Sequence, residues 1–163
     1  INDILKVAEE RDFSVEHCHT LSDIADLARA EKSVIDCFQQ LSKKVDAIYV
    51  TVQGGVNSRS TPELVRIANM QGISTFSQYG EKEVRQGYLL SLSPSAKSAL
   101  GRFSAKTIAK VLNGASPGQL AQIFEEDKII VINPKTAEVI GLYLYADLLA
   151  AADKIYRHIE ALE

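Results

Sequence analysis

The sequence is organised around residues 45–57, a strand-like run that ends in a polar loop. Ala47–Val52 is β-branched, aromatic and mostly apolar at successive positions, which is typical of a strand covered on both faces of a sheet. Gln53, Gly54 and Gly55 interrupt the run. Adjacent glycines allow backbone angles that other residues resist, so we expect a sharp turn and room for a ligand to approach closely.

A helix start follows this loop at residues 60–63. Ser60 or Thr61 can cap the helix, Pro62 suits its first turn, and Glu63 complements its dipole. A strand, a polar turn and a helix N-terminus in this order predict the carboxyl edge of an open α/β sheet, which is where such folds bind ligands.

Strand and helix patterns alternate along the rest of the chain. The predicted strands are Phe13–His19, Ala47–Val52, Ile73–Phe76, Gly87–Leu92 and Lys128–Asn133; helices are predicted over Asn2–Arg11, after the capping box Thr20-x-x-Asp23, after Ser60, after Ser93, and through most of Ala137–Leu162. We therefore predict an α/β fold with an open, mostly parallel, doubly wound sheet flanked by helices. The whole chain, residues 1–163, forms one such lobe. Because α/β lobes usually begin with a strand, we expect a first strand upstream of Ile1.

Composition and charge narrow the range of partners. The formal net charge of −3 gives no electrostatic reason to bind nucleic acid or an anionic membrane. No apolar run approaches the roughly 20 residues that span a bilayer. The chain begins at Ile1 without a methionine or signal peptide, which indicates a piece of a longer protein.

The cysteines and histidines predict no metal site. Cys18 and Cys37 can either pair or remain buried thiols, and the usual behaviour of lone cysteines favours two free thiols. His17 and His19 point to one face of the predicted strand, but no third ligand lies at a recognisable spacing. We predict neither a metal nor a cofactor.

No catalytic arrangement stands out in the sequence. A G-x-S-x-G turn is absent, and Gln53–Thr61 matches no nucleotide-binding motif although its glycines could cradle a phosphate. Arg59 and Arg85 could clamp a carboxylate, or serve as surface charges. The lack of a catalytic pair favours binding over catalysis, so we predict no catalytic residue.

Several stretches resemble one protein family. Residues 45–50, 67–69 and 73–77 are similar to its run "DAIYVPTDN… VAN… IPVFAS", and residues 84–89 to its "VRxGALA". The most distinctive stretch begins at Ile130 and runs to Asp153, which is similar to "VINLKTAKxLGLxIPxxLLxRAD". The family is the extracytoplasmic substrate-binding proteins of ABC transporters, in the branch that includes tryptophan-binding members.

The resemblance implies a function in transport. Members have two α/β lobes hinged over a cleft, and this chain resembles the second lobe with a tail, residues 128–163, that would pack on the other lobe. They capture a small solute, such as an amino acid, between the lobes and deliver it to a membrane permease. They work in the periplasm or elsewhere outside the cytoplasm, without cofactors and without catalysis.

Two departures from the family pattern affect the predicted site. Val52-Gln53-Gly54 stands where the family has Thr-Asp-Asn, and Ser91–Ala96 stands where it has an acidic residue and tyrosines. The aspartates that would bind an amine are therefore absent, which indicates a different solute or a lobe that no longer binds one.

We expect ligand contacts where strands end. The candidates are Gln53, Gly54, Gly55, Asn57 and Ser58 on a first loop, Ser77, Gln78 and Tyr79 on a second, and Ser91 and Ser93 on a third. Two alternatives remain open: a ligand-sensing domain of a membrane signalling protein, and a small α/β enzyme acting on a phosphorylated substrate at Gln53–Thr61. Exposed sheet edges could also drive homodimerisation of this piece.

Overall fold

Five strands form one open sheet in the computed structural model, which describes residues 2–78, 80–94, 97–124 and 128–160. The strands lie side by side in chain order: β1 (Ala47–Val50), β2 (Ser74–Ser77), β3 (Leu90–Pro94), β4 (Lys128–Ile132) and β5 (Lys154–Ile155). The β1–β2, β2–β3 and β4–β5 pairs are parallel, and β3–β4 is antiparallel. The prediction of an open, mostly parallel α/β sheet is confirmed.

The helices precede or connect these strands, and the start of α2 and the end of α3 have well-defined caps. They are α1 (Asn2–Arg11), α2 (Leu27–Leu41), α3 (Thr61–Gln71), α4 (Glu81–Arg85), α5 (Lys97–Leu112), α6 (Pro134–Val139) and α7 (Ala146–Ala150), with a 3₁₀ turn at Pro117–Gln119. The Asp26 carboxylate caps α2 by accepting a bond from the Arg29 N–H, and α3 ends at Gly72 in the left-handed conformation, with φ of 68°.

The core lies between the sheet and the pair α2 and α3. Ile48 and Val50 of β1 point into it, whereas Ala47 and Tyr49 on the other face are exposed. The buried apolar cluster consists of Val34, Phe38, Ile48, Val50, Val56, Leu64, Val65, Ile67, Ala68, Ile73, Val84, Tyr88 and Val131. Because α2 and α3 pack on the same face, β1 is covered on one face and the burial of its residues alternates accordingly.

The expectation that Ala47–Val52 is a strand covered on both faces is wrong. The strand ends at Val50, Val52 lies exposed in the following loop, and Tyr49 keeps 51% of its surface accessible on the open face. Leu92 of β3 is exposed on that same face. An apolar residue at every position does not reveal which face a helix covers, so the pattern could not distinguish these cases.

Two other predicted elements near the amino terminus also differ. Phe13–His19 forms no strand, since it pairs with none of the strands in the described part of the chain. The helix predicted from the capping box starts later, at Leu27, since Asp26 provides the cap. Alternation specifies a strand only when a partner strand is available.

Cys18 and Cys37 form a disulfide, so the preference for two free thiols is wrong. Their Cα atoms lie 5.7 Å apart. Cys37 lies on the buried side of α2, and the segment that carries Cys18 lies beside that helix, where the Leu21 N–H donates to the Ser33 hydroxyl. The bond therefore ties residues 12–26, which contain no helix or strand, to the main body of the fold.

The carboxyl-terminal segment is less helical than predicted and attaches to α4. The predicted helix over Ala137–Leu162 is broken after α6 by Gly141, which has φ of 71°. Beyond α7, Lys154 donates to the Glu81 carboxylate at 2.6 Å, and Tyr156 donates to the same carboxylate. The packing of the tail on a further lobe stays a prediction.

Candidate functional site

The candidate site lies at the carboxyl edge of β1 and β2. Val50, the last residue of β1, pairs in register with Ser77, the last residue of β2. The backbone N–H of Gln78 donates to the Val50 carbonyl at 3.4 Å, so β1 and β2 end side by side. The loops that follow β1 and β2 are thus neighbours, as the sequence predicts.

The loop after β1 is built by hydrogen bonds within itself. The side-chain oxygen of Asn57 accepts bonds from the backbone N–H groups of Arg59 at 2.9 Å and Ser60 at 3.4 Å. The Ser60 hydroxyl donates to the Gly55 carbonyl at 2.7 Å, and the Thr61 hydroxyl donates to the Asn57 carbonyl at 2.7 Å. These bonds fix the loop against the start of α3, so part of the polar character of this stretch serves the loop itself.

Gly54 and Gly55 are required by close packing. A Cβ atom at Gly55 would lie 2.5 Å from the Ala30 carbonyl oxygen and 2.6 Å from a Val34 methyl group of α2. At Gly54 it would lie 2.8 Å from the Ser22 carbonyl oxygen. Neither glycine has a positive φ, so the expectation that they provide unusual backbone angles is wrong.

Glu31 of α2 anchors the loop electrostatically. Its carboxylate accepts bonds from the Asn57 amide at 2.8 Å and from the Arg59 guanidinium at 2.9 and 2.7 Å. The bond from Asn57 first, and then the bonds from Arg59, lower the pKa of Glu31. Both predicted carboxylate clamps thus bind carboxylates of this chain, because Arg85 pairs with Glu160 at 2.8 Å.

Gln53 has a partner that the sequence does not indicate. The Thr20 hydroxyl donates to the Gln53 side-chain oxygen, and the neighbouring backbone N–H of Leu21 donates to the Ser33 hydroxyl of α2 at 2.9 Å. The segment Thr20–Ser22 therefore lies along the rim of the first loop. Glu31 lies 26 and 28 residues before its loop partners Asn57 and Arg59, and Thr20 lies 33 residues before Gln53, so no spacing rule connects them.

The other predicted contacts divide into buried and exposed positions. Ser77 and Ser91 are buried and adjacent, and the Ser91 hydroxyl donates to the Ser77 carbonyl at 2.8 Å, which ties β3 to β2. Gln78 and Ser58 are exposed at the edge. Tyr79 lies outside the described residues, as does the side chain of Ser93. Ser91 is not at a strand end, because β3 continues to Pro94.

A cavity of about 380 Å³ opens on the exposed face of the sheet beside this edge. Its lining combines apolar side chains with three polar ones: Tyr49, Phe76, Leu90, Leu92, Ser77, Gln78 and Lys128. A volume of this order is at the lower end of the range for small-molecule sites. Two of the predicted contacts, Ser77 and Gln78, line it.

The described residues offer neither a metal site nor a membrane-spanning helix. Over the described ranges, no group of three or more histidine, cysteine or acidic side chains is placed to hold a metal ion. His17 and His19 instead contact each other edge to face, with ring centroids 5.2 Å apart. None of the helices in the described part of the chain has the length and apolar character needed to cross a bilayer.

Comparisons with known proteins identify a family and a fold. The family model described as "ABC transporter substrate binding protein" matches residues 6–156. A comparison with curated protein sequences finds no significant match.

Solved structures share this fold over about half of their own length. A conserved domain protein from Vibrio cholerae has a TM-score of 0.75 at 23% identity, covering 94% of this chain and 49% of that one. An ABC domain from Streptococcus pneumoniae in complex with L-Trp has a TM-score of 0.72 at 22% identity, covering 95% and 51%. A ligand-free, open substrate-binding protein with adhesive properties from Clostridium difficile has a TM-score of 0.62 at 20% identity, covering 94% and 48%.

Proposed function

Because this chain belongs to the family of ABC transporter substrate-binding proteins, we propose that it binds a small organic solute at the carboxyl edge of its sheet for delivery to a membrane permease. The observation that carries the proposal is the family match, which extends over residues 6–156. The chain acts as a binding lobe and leaves the solute chemically unchanged.

An amino acid or a similar small molecule is the proposed solute. The structural relative from Streptococcus pneumoniae is described in complex with L-Trp. The cavity beside the edge has aromatic and aliphatic walls at Tyr49, Phe76 and Leu92, with the amide of Gln78 at its rim. Such a lining suits a solute with an apolar side chain and a polar head group.

The site recognises the polar head group through the amide of Gln78 and the cation of Lys128, which both line the cavity. Glu31, the carboxylate nearest to the first loop, is held by Asn57 and Arg59. Gln53 and Gln78 stand at the adjoining strand ends, and an amide can both donate and accept. This arrangement favours a zwitterionic or neutral head group over a cation that needs a carboxylate.

The proposed location is outside the cytoplasm. The disulfide between Cys18 and Cys37 supports it, since such bonds persist in oxidising compartments. The family membership supports the same location and a permease as the partner.

Binding can be tested by NMR titration of the isotopically labelled chain with the twenty amino acids and with inorganic phosphate. We expect L-tryptophan or another apolar amino acid to shift backbone signals of residues 49–60, 76–78 and 90–92 in a saturable manner. Shifts caused by phosphate alone, at Gly54 and Gly55, would instead support the phosphorylated-substrate alternative.

The site assignment is tested by substitution. We expect Gln53→Ala and Gln78→Ala each to weaken that amino acid's affinity by about fivefold, the loss that corresponds to one hydrogen bond. Lys43→Ala serves as the matched control, because Lys43 is exposed near the opposite end of β1. Unchanged affinity in both glutamine variants would show that the solute binds elsewhere.

A further inference from the structure

The segment Asp12–Asp26 is attached to the fold mainly at residues 18–21. The covalent attachment is the disulfide from Cys18 to Cys37 of α2. Beside it, the Leu21 N–H donates to the Ser33 hydroxyl at 2.9 Å. The segment contains neither helix nor strand. These two contacts therefore hold residues 18–21 against α2.

The same few residues contact the binding edge. The Thr20 hydroxyl donates to the Gln53 side-chain oxygen, and the Ser22 carbonyl lies where a side chain on Gly54 would stand. Thr20 lies two residues after Cys18 in the chain. A bond that fixes Cys18 to α2 therefore also limits how far Thr20 can move from the loop.

The disulfide is accessible to a reductant. Cys18 is half-buried, and a shallow cavity of about 400 Å³ opens beside the bond. Polar and charged side chains line this cavity, among them His19, Arg29, Lys32 and Gln40. A small dithiol can thus reach a sulfur atom without prior unfolding of the core.

We propose that the Cys18–Cys37 disulfide is a covalent tether that positions the binding-edge residue Gln53 through Thr20, and that reduction of the bond releases it. The proposal rests on the proposed function of that edge. A dithiol reductant donates two electrons and two protons: the S–S bond breaks, Cys18 and Cys37 become thiols, and the reductant becomes a disulfide. Thr20 then leaves Gln53, and the affinity for solute falls.

The first experiment needs no solute, so its outcome is independent of the proposed function. Amide hydrogen exchange is measured on the 163-residue chain, oxidised and after reduction by dithiothreitol. We expect exchange in residues 51–57 to become about fivefold faster on reduction, as for the loss of one hydrogen bond. Faster exchange confined to residues 12–26 would overturn the proposal, since the disulfide would then hold only its own segment.

A variant at Thr20 separates the effect of its hydroxyl from the effect of the disulfide. Thr20→Val keeps the disulfide and removes the hydroxyl, so we expect it to loosen residues 51–57 in the oxidised chain. Ser14→Ala, an exposed hydroxyl in the same segment, is the matched control and should leave the loop unchanged. The proposal is wrong if Thr20→Val and Ser14→Ala give the same exchange in the loop.

The final measurement is the affinity of the oxidised and reduced chain for L-tryptophan, followed by NMR. We expect reduction and Thr20→Val each to weaken binding by about fivefold. Equal affinity in both redox states would overturn the tether. If none of the twenty amino acids binds the oxidised chain, the proposed function fails, and the exchange experiments alone decide the tether.

Discussion

At the scale of single residues, the binding-edge loop depends on the absence of a side chain at Gly55. A Cβ atom there would meet the backbone of Ala30 and the side chain of Val34. We expect Gly55→Ala to lower the free energy of unfolding by about 1–3 kcal/mol, as overpacking does elsewhere. Urea unfolding measures the change. Gly101→Ala is the control, because a Cβ atom at Gly101 has open space; a similar loss in both variants would contradict the packing argument.

The carboxylate of Glu31 gives a second prediction at this scale. Its bonds from Asn57 and Arg59 lower its pKa below the ordinary value of 4.5. A carboxylate with a lowered pKa stabilises the fold at pH values above its ordinary value, and that stabilisation is lost as the pH falls through the folded-state pKa. We therefore expect the melting temperature of Glu31→Gln to fall below that of the wild type at pH 7 and to converge with it in acid.

The control for Glu31 is a carboxylate that also carries an ion pair on α2. Asp36 binds Lys32 at 3.1 Å on the exposed side of that helix, away from the loop. Asp36→Asn should change the pH dependence little, since exposed pairs within one helix contribute about 0.3–0.5 kcal/mol. A gap between Glu31→Gln and wild type that persists in acid would contradict the assignment to the charged form.

At the scale of secondary-structure elements, residues 154–160 are attached to α4 through the bond from Tyr156 to Glu81. Burial first, and then the bond to Glu81, raise the pKa of Tyr156 to about 12. A raised pKa means that the stabilisation is complete below the ordinary value of 10.0 and is lost as the pH rises to about 12. We expect hydrogen exchange in residues 154–160 to accelerate across that interval beyond the intrinsic increase.

Two tyrosine variants show whether Tyr156 causes the pH dependence of exchange. Tyr156→Phe should loosen residues 154–160 already at neutral pH and remove the additional acceleration between pH 10 and 12. Tyr143→Phe is the control, because Tyr143 is exposed and lies outside residues 154–160. If Tyr156→Phe retains the wild-type pH profile, another group controls the attachment of residues 154–160 to α4.

The elements that the sequence predicted correctly are those whose signal is local. The start of α3 at Thr61 agrees with Pro62 in the first turn, and the strands β2 and β4 follow from apolar runs within a few residues. The predicted cap itself is wrong, because the Ser60 hydroxyl makes no capping bond and donates to the Gly55 carbonyl. The strand predicted at Phe13–His19 failed because pairing requires a partner that alternation cannot provide.

The predictions for the candidate site divide in the same way, into placements that follow from the strands and long-range contacts that the sequence does not indicate. The strand order places the loops after β1 and β2 together, as predicted. The contacts of Glu31 and Thr20 with that loop join residues far apart in the chain, and the glycines looked flexible although they serve packing. Long-range contacts of this kind are decided by the folded geometry and leave no periodic trace.

At the scale of the whole molecule, exposed apolar surface includes the open face of the sheet and the helix α5. Tyr49 and Leu92 lie on the open face of the sheet, and Leu100, Ile108 and Leu112 of α5 keep about half or more of their surface accessible. Contiguous apolar surface promotes association in water. We therefore expect the isolated 163-residue chain to self-associate as its concentration rises, in agreement with the homodimer anticipated from its sheet edges.

Sedimentation velocity over a concentration series tests whether the open face drives this association. The double variant Tyr49→Thr and Leu92→Thr removes apolar area while keeping residues that suit a strand, so we expect it to remain monomeric at higher concentration. Met70→Gln removes an apolar side chain of α3 that is even more exposed than Tyr49 and Leu92, and it should behave as the wild type. If the double variant associates as strongly as Met70→Gln, the contact lies elsewhere, and the same series with Ile108→Gln and Leu112→Gln then tests α5.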